Sequence, residues 1–278
     1  MLSIQTNVAA LYGQQNLAVN SSFQQTTISR LTSGYRINSS ADDAAGLAVA
    51  NGLRGQRNEL TQGVRNANDG VSQLQIIDGG LNNVSQILDR LRTLATQSAS
   101  GTFTGDRSVL NQEFTKDLSE LDRQAGNIGL NTGGNYLQSL SVYIGGGLGT
   151  NNGNIIGSTA ETIDLSASTA DSTGLSLNGS AVDTAANAQN ALSAIETAVV
   201  SLGKIQGAVG AGINQLSFAI SLGQSQITNY AADESRIRDA DVASEAANLS
   251  KSQVLMQSSM AALAQANQIP QSVLKLLQ

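Results

Sequence analysis

The chain closes on LSKSQVLMQSSMAALAQANQIPQSVLKLLQ, residues 249–278. Alternating steps of four and three from Leu249 land on Gln253, Met256, Met260, Leu263, Asn267, Pro270, Leu274 and Leu277. Apolar side chains at that spacing line one side of a helix, as in a coiled-coil seam. The seam runs into the last turn of the chain, where ends normally fray. It therefore asks for a partner surface.

Working back, the same signature recurs on a larger scale. From 192 to 230 the stops are Leu192, Ile195, Val199, Leu202, Gln206, Val209, Ile213, Leu216, Ile220, Gly223, Ile227 and Tyr230. Only Gln206 and Gly223 interrupt the apolar set, and Ser180 or Asp183 is placed to cap this helix. Upstream, Leu53, Leu60, Ala67, Leu74, Leu81, Leu88 and Ala95 recur every seven residues. Their apolar companions shift from Val64 and Val71, four residues on, to Ile77, Val84 and Leu91, three residues on. That shift predicts a seam drifting slowly around the helix. The helix is expected over 41–99, capped by Ser40 with Asp42 and Asp43 at its positive end, and would be roughly 85 Å long. A shorter one follows over 106–127, striped by Leu110, Phe114, Leu118, Leu121 and Ala125. The first helix spans about 3–33 and carries Ile4, Val8 and Leu11 at helical spacing.

Between the long helices, residues 129–180 change texture to Gly, Ser, Thr and Asn. SLSVYIG and ETIDLS alternate as strands do and predict a small antiparallel hairpin. YIGGGLG lacks the Lys of a phosphate loop and no helix follows, so it reads as a turn. The Ser/Thr-rich stretch 158–180 is expected to face solvent, where it could carry O-linked sugars. Five N-x-S/T triplets, at Asn20, Asn38, Asn83, Asn178 and Asn248, are what chance produces in so Asn- and Ser-rich a chain.

Composition narrows the function. Aromatic residues make up 3% and charged residues 13% of 278 residues. An ordinary domain is about a quarter charged. There is no Cys, His or Trp, which removes thiolate nucleophiles, imidazole bases, Ser-His-Asp triads and the common zinc sites. No enzyme, cofactor or metal site is expected. A formal charge of −6 disfavours nucleic acid, and no apolar run is long enough to span a membrane. The first twenty residues lack the basic start and unbroken apolar block of a cleaved signal. No charge precedes Arg30, and only Lys251 and Lys275 follow Glu245. End helices so short of charge are expected to be buried on most sides, against copies of the same chain.

The elements thus run out and return: terminal helix, break, long helix, turn region, long helix, break, terminal helix. The fold class expected is mainly α, a long antiparallel coiled-coil or bundle rod with a small β-hairpin region, whose terminal helices need copies of the same chain. Residues 1–40 and 241–278 form its terminal-helix part. Residues 41–128 with 181–240 form the long-helix part, and 129–180 the hairpin region.

LSIQTNVAAL (2–11), LTSGYRINSSADDAAGLAVA (31–50), LRTLATQSASGT (91–102), SRIRDADVASEAANLSKSQVLMQ (235–257) and ALAQANQIPQSVLKLLQ (262–278) resemble the terminal regions of bacterial flagellin. The resemblance covers about 1–140 and 180–278. It is this resemblance that implies a rod assembling into a helical filament: the extracellular subunit of the flagellar filament, exported unfolded through the flagellar type III apparatus and assembled at the tip. The terminal helices would then line the filament core. Ile4, Val8, Leu11, Leu249, Met256, Met260, Leu263, Leu274 and Leu277 would form the polymerisation seam. The implied partners are further copies of the chain, an export chaperone, the cap and junction proteins, and a flagellin-sensing Toll-like receptor. Residues matching the receptor contact are Arg90, Leu94 and Glu113; as plain structure, these read as a packing leucine and a lattice ion pair. With only about fifty residues between the arms, no large outer domains are expected. The hook-filament junction protein resembles the same ends, but the nearly complete LAQANQIPQSVLKLL favours the filament protein. An adhesin or free receptor ligand would need a larger exposed region than 129–180 provides.

Overall fold

A computed structural model describes residues 6–145, 150–151, 154–155 and 160–276, with side chains described over 6–145 and 160–268. Five helices account for most of it: α1 (Val8–Ser33), α2 (Ala44–Ala99), α3 (Arg107–Asn127), α4 (Ala185–Arg238) and α5 (Val242–Leu276). Four short strands lie between α3 and α4: β1 (Ser139–Tyr143), β2 (Thr150–Asn151), β3 (Asn154–Ile155) and β4 (Ala160–Asp164). β1 pairs antiparallel with β4, with Leu140 opposite Ile163 and Val142 opposite Glu161; β2 pairs with β3. The two runs that alternate in the sequence are thus hairpin partners. Most of the intervening GGGLG turn lies outside the described residues.

The chain divides into two compact units, Met1–Gly55 with Asn229–Gln278, and Gln56–Thr228. These limits fall inside α2 and α4.

Local chemistry starts each helix. Asn7 caps α1 and Asp106 caps α3 through side-chain oxygens. α2 begins at Ala44, later than expected, because Asp43 rather than Ser40 accepts the Gly46 N–H, at 2.8 Å. Asp42 turns the other way and accepts from the N–H groups of Ser39 (2.8 Å) and Asn38 (3.1 Å), which hold its carboxyl below the ordinary value. α4 is capped by Thr184, which accepts from Asn187 N–H at 3.1 Å, rather than by Ser180 or Asp183. Asp241 caps α5.

In the larger unit α2 and α4 run antiparallel. Arg92 meets Glu196 at 3.6 Å, Gln206 meets Asn82 at 3.4 Å, and Ser98 Oγ donates to the Val182 carbonyl at 2.5 Å. Leu60, Ala67, Leu74, Leu81, Leu88 and Ala95 are buried, with Ile77, Val84, Leu91, Phe114 and Leu121. The α2 seam does not drift. Gly63 and Gly70 continue the line of Ile77, Val84 and Leu91 toward the N-terminus, and both are buried. They read as gaps in an apolar pattern, yet they receive the hairpin. A Cβ on Gly63 would lie 1.6 Å from the Ile144 carbonyl oxygen, and one on Gly70 would lie 3.0 Å from Val142 Cγ2. On α4, Ile195, Leu202, Val209, Leu216 and Gly223 are buried as the spacing predicts. Their buried companions are Ala191, Ala198, Ile205 and Gly212, one residue before the expected Leu192, Val199, Gln206 and Ile213; Val199 is 41% exposed.

Residues 165–180 are not a solvent-facing tail. Leu165, Ala170, Leu175 and Leu177 are buried, with Ser168. Asp171, 7% exposed, organises the segment: one carboxylate oxygen accepts from the Thr132 N–H and hydroxyl at 2.8 and 2.7 Å, the other from Gly174 N–H at 2.7 Å. Burial pushes the Asp171 carboxyl up, but the Thr132 and Gly174 bonds outweigh it and leave the group below its ordinary value. Ser172 is held in turn by Asp122.

Candidate polymerisation surface

The smaller unit is built on α1 and α5, which pack antiparallel. Asn7 meets Ala266, Asn20 meets Ser259 and Arg30 meets Glu245 in order along the pair. The inner face mixes small and polar residues with four larger apolar ones. From α1 it takes Asn7, Ala10, Gly13, Leu17, Asn20, Gln24 and Thr27. From α5 it takes Leu249, Ser252, Met256, Ser259, Leu263 and Ala266. Asn20 Nδ2 donates to Ser259 Oγ at 2.9 Å. Gly13 is a close approach: a Cβ there would lie 3.1 Å from Leu263 Cδ1. Arg30 and Glu245 pair at 3.4 Å with Glu245 nearly buried.

The charged breaks at the far end of the pair clamp each other. Gly34, at φ 73°, ends α1 in the left-handed conformation that suits glycine. Its carbonyl accepts from Ala240 N–H at 2.9 Å, and Arg36 N–H donates to the Arg238 carbonyl at 2.7 Å. The Arg238 guanidinium lies over the Tyr35 ring, 4.2 Å from its centre. A short antiparallel bridge between Tyr35 and Asp239 thus ties the two breaks together.

What the inner face omits, the outer face carries. Val8 is 53% exposed, Leu11 55%, Tyr12 65% and Val19 62%, and they share one stripe of α1 with Phe23. On α5, Val254 and Met260 are exposed. The expected seam residues therefore divide. Leu249, Met256 and Leu263 are half-buried against α1, whereas Val8, Leu11 and Met260 face outward. Ile4 and Leu277 lie outside the described residues, as does the side chain of Leu274. Ser252, Ser259 and Ala266 take the intramolecular places that spacing alone assigned to Gln253, Met260 and Asn267. In the single chain the end helices leave much of their apolar surface, Val8, Leu11, Tyr12, Val19 and Val254 among it, facing outward.

In the larger unit, Arg90 Nε donates to Glu113 Oε1 at 3.0 Å, and both side chains are exposed. Asp117 lies close by; burial pushes its carboxyl up, Glu113 adds to this and Arg90 opposes it. Leu94 does not share their surface, being 1% exposed in the core. Among the described residues no group of three or more His, Cys, Asp or Glu could hold a metal ion, and no helix is long and apolar enough to cross a membrane.

Two family models match the chain. The bacterial flagellin N-terminal helical region covers residues 4–137, and the bacterial flagellin C-terminal helical region covers 192–277. The chain belongs to the bacterial flagellin family. A flagellin of Halalkalibacterium halodurans is 36% identical over 275 residues, 99% of each chain. The flagellar filament core protein flaB2 of Brachyspira hyodysenteriae is 33% identical over 289 aligned positions, again 99% of each. A crystal structure of Bacillus cereus flagellin aligns at 26% identity with a TM-score of 0.45, over 61% of this chain and 94% of that one. This flagellin is a short form, matched end to end by relatives of similar length.

Proposed function

We propose that this flagellin is a structural subunit, not an enzyme, which polymerises outside the cell into the flagellar filament that drives swimming. In this reading α1 and α5 are its polymerising elements. The observation that carries the proposal is the α1 stripe of Val8, Leu11, Tyr12, Val19 and Phe23, which lies bare on a helix with no charged residue before Arg30. Burying such a side chain contributes about 1.5–3 kcal/mol, so a row of them repeated in every subunit is a sufficient drive for assembly. The inner α1–α5 face offers mainly hydroxyls, amides and small residues, too little apolar area for a firm pair alone. Contact between identical copies that does not close yields a filament rather than a ring.

Export in the unfolded state suits helices that gain most of their burial only on docking. The export chaperone, cap and junction proteins are the partners that route requires. Recognition by a flagellin-sensing Toll-like receptor would rest on Arg90 and Glu113 at the surface, with Leu94 holding the core behind them.

The test is seeded assembly of full-length Leu11→Glu and Val19→Glu chains, followed by electron microscopy. Both substitutions sit on the outer stripe, so the monomer should keep its helicity while filament growth stops. Growth at the parent rate would remove the stripe from the interface.

A further inference from the structure

α5 continues through Pro270, the only proline of the chain. A proline has no backbone N–H, so the helical partner of the carbonyl four residues earlier is missing. That carbonyl belongs to Ala266, and Asn7 Nδ2 donates to it at 2.8 Å. The same side chain caps α1, its Oδ1 accepting from Ala10 N–H at 3.1 Å. One amide therefore uses its acceptor to start one helix and its donor to satisfy the gap that proline opens in the other. Short of its last turn, the other backbone carbonyls of α5 have a helical N–H four residues on as donor, so a side-chain donor gains little by docking on them. The gap marks a single site on an otherwise repetitive helix.

We infer that Asn7 and Pro270 together form a register lock: Pro270 exposes the Ala266 carbonyl as the one strong acceptor on this face of α5, and Asn7 fixes α1 against it. A register lock is valuable on this interface because its side chains discriminate poorly. Serines and alanines recur every seven residues on α5, at Ser252, Ser259 and Ala266, so a slip by one heptad would preserve much of the packing. Since the outer stripe rides on α1, the lock also sets where that stripe is presented; this consequence rests on the polymerisation proposed above.

A double-mutant cycle tests it in the full-length chain. Asn7→Asp keeps the capping oxygen and removes the donor, whereas Asn7→Ala would confound the two. Pro270→Ala returns a helical donor to Ala266. Register is read with a cysteine pair in this cysteine-free chain, Gly13→Cys with Leu263→Cys. A Cβ at 13 would lie 3.6 Å from Leu263 Cβ, within the range a disulfide spans. With Pro270 in place, Asn7→Asp should slow formation of this disulfide and raise the critical concentration for seeded growth roughly two- to tenfold, the worth of one hydrogen bond. In the Pro270→Ala background the same change should alter both by less than about twofold. Equal effects of Asn7→Asp in both backgrounds, or no effect on the cross-link in either, would overturn the lock. Failure of the parent chain itself to grow filaments would instead count against the polymerisation reading, while the cross-link would still judge the lock.

Discussion

Replacing Gly63 by alanine adds one methyl group at the place where the hairpin meets α2. Its carbon would stand 1.6 Å from the Ile144 carbonyl oxygen and 2.3 Å from the carbonyl carbon. Ordinary contact begins near 3.4 Å, so the strand end must retreat by about 1.8 Å. The obstacle is backbone, which cannot swing aside as a side chain does. The retreat would pull the Tyr143 carbonyl off Asn66 Nδ2, now 3.0 Å away, and separate the Tyr143 hydroxyl from Glu59, now 2.7 Å away. Overpacking of this kind costs about 1–3 kcal/mol, and a clash with backbone belongs at the upper end. The lost Asn66 bond adds about 0.5–1 kcal/mol. Alanine returns about 1 kcal/mol of helix propensity. The net loss is about 2–3 kcal/mol, which for a unit of this size lowers the melting temperature by about 5–10 °C. Thermal unfolding of the monomer followed by circular dichroism is the assay. Gly79→Ala is the internal control, on the same helix with nothing within 4 Å of the new methyl, and should stabilise by about 0.5–1 kcal/mol. If Gly63→Ala matched that control, the close approach of the hairpin to α2 would be wrong.

Leu94→Ala should destabilise the larger unit by about 2–5 kcal/mol because the side chain is fully enclosed, whereas Arg90→Ala should leave the urea midpoint unchanged. Any receptor assay must therefore be read on folded protein for Leu94 but can be read directly for Arg90 and Glu113. Asp171→Asn puts an amide where the carboxylate accepts three hydrogen bonds, and should cost about 1–3 kcal/mol in chemical denaturation at neutral pH. The Asp171 carboxyl is held below its ordinary value of 3.8 in the folded chain, so its contribution is complete above that pH and is lost as the pH falls below it. The parent should therefore lose more stability than Asp171→Asn in acid. Leu263→Glu places a charge on the inner α1–α5 face and should stop seeded growth while leaving the melting of the larger unit unchanged.

The sequence displays the heptads plainly because leucines and isoleucines mark them. Leu60 to Ala95 on α2, Ile195 to Gly223 on α4, and Leu249, Met256 and Leu263 on α5 all fall where their spacing predicts. The second position of each heptad is harder to read. At several of these positions the inner place belongs to a small or polar residue: Gly63 and Gly70 on α2, Ala191, Ala198 and Gly212 on α4, Ser252, Ser259 and Ala266 on α5. At Gly63, Gly70 and Gly212 the hairpin residues Ile144, Val142 and Ile163 leave little room for more. Larger apolar neighbours such as Val199 and Met260 then turn outward, and hydrophobicity alone mistakes them for the seam. The hairpin strands were legible from alternation. The burial of 165–180 was not, because it depends on Asp171 reaching Thr132, a contact between residues far apart in sequence. Asn7 and Asn20 look like ordinary members of a polar helix until their partners on α5 are known.

Seeded growth of the chain lacking residues 249–278, set beside the full chain, tests most directly whether the terminal helices build the filament. The truncated chain should stay a soluble, helical monomer that adds nothing to seeds, while the full chain extends them into long tubes with a gain in helicity. Normal filaments from the truncated chain would contradict the assignment of polymerisation to the α1–α5 pair.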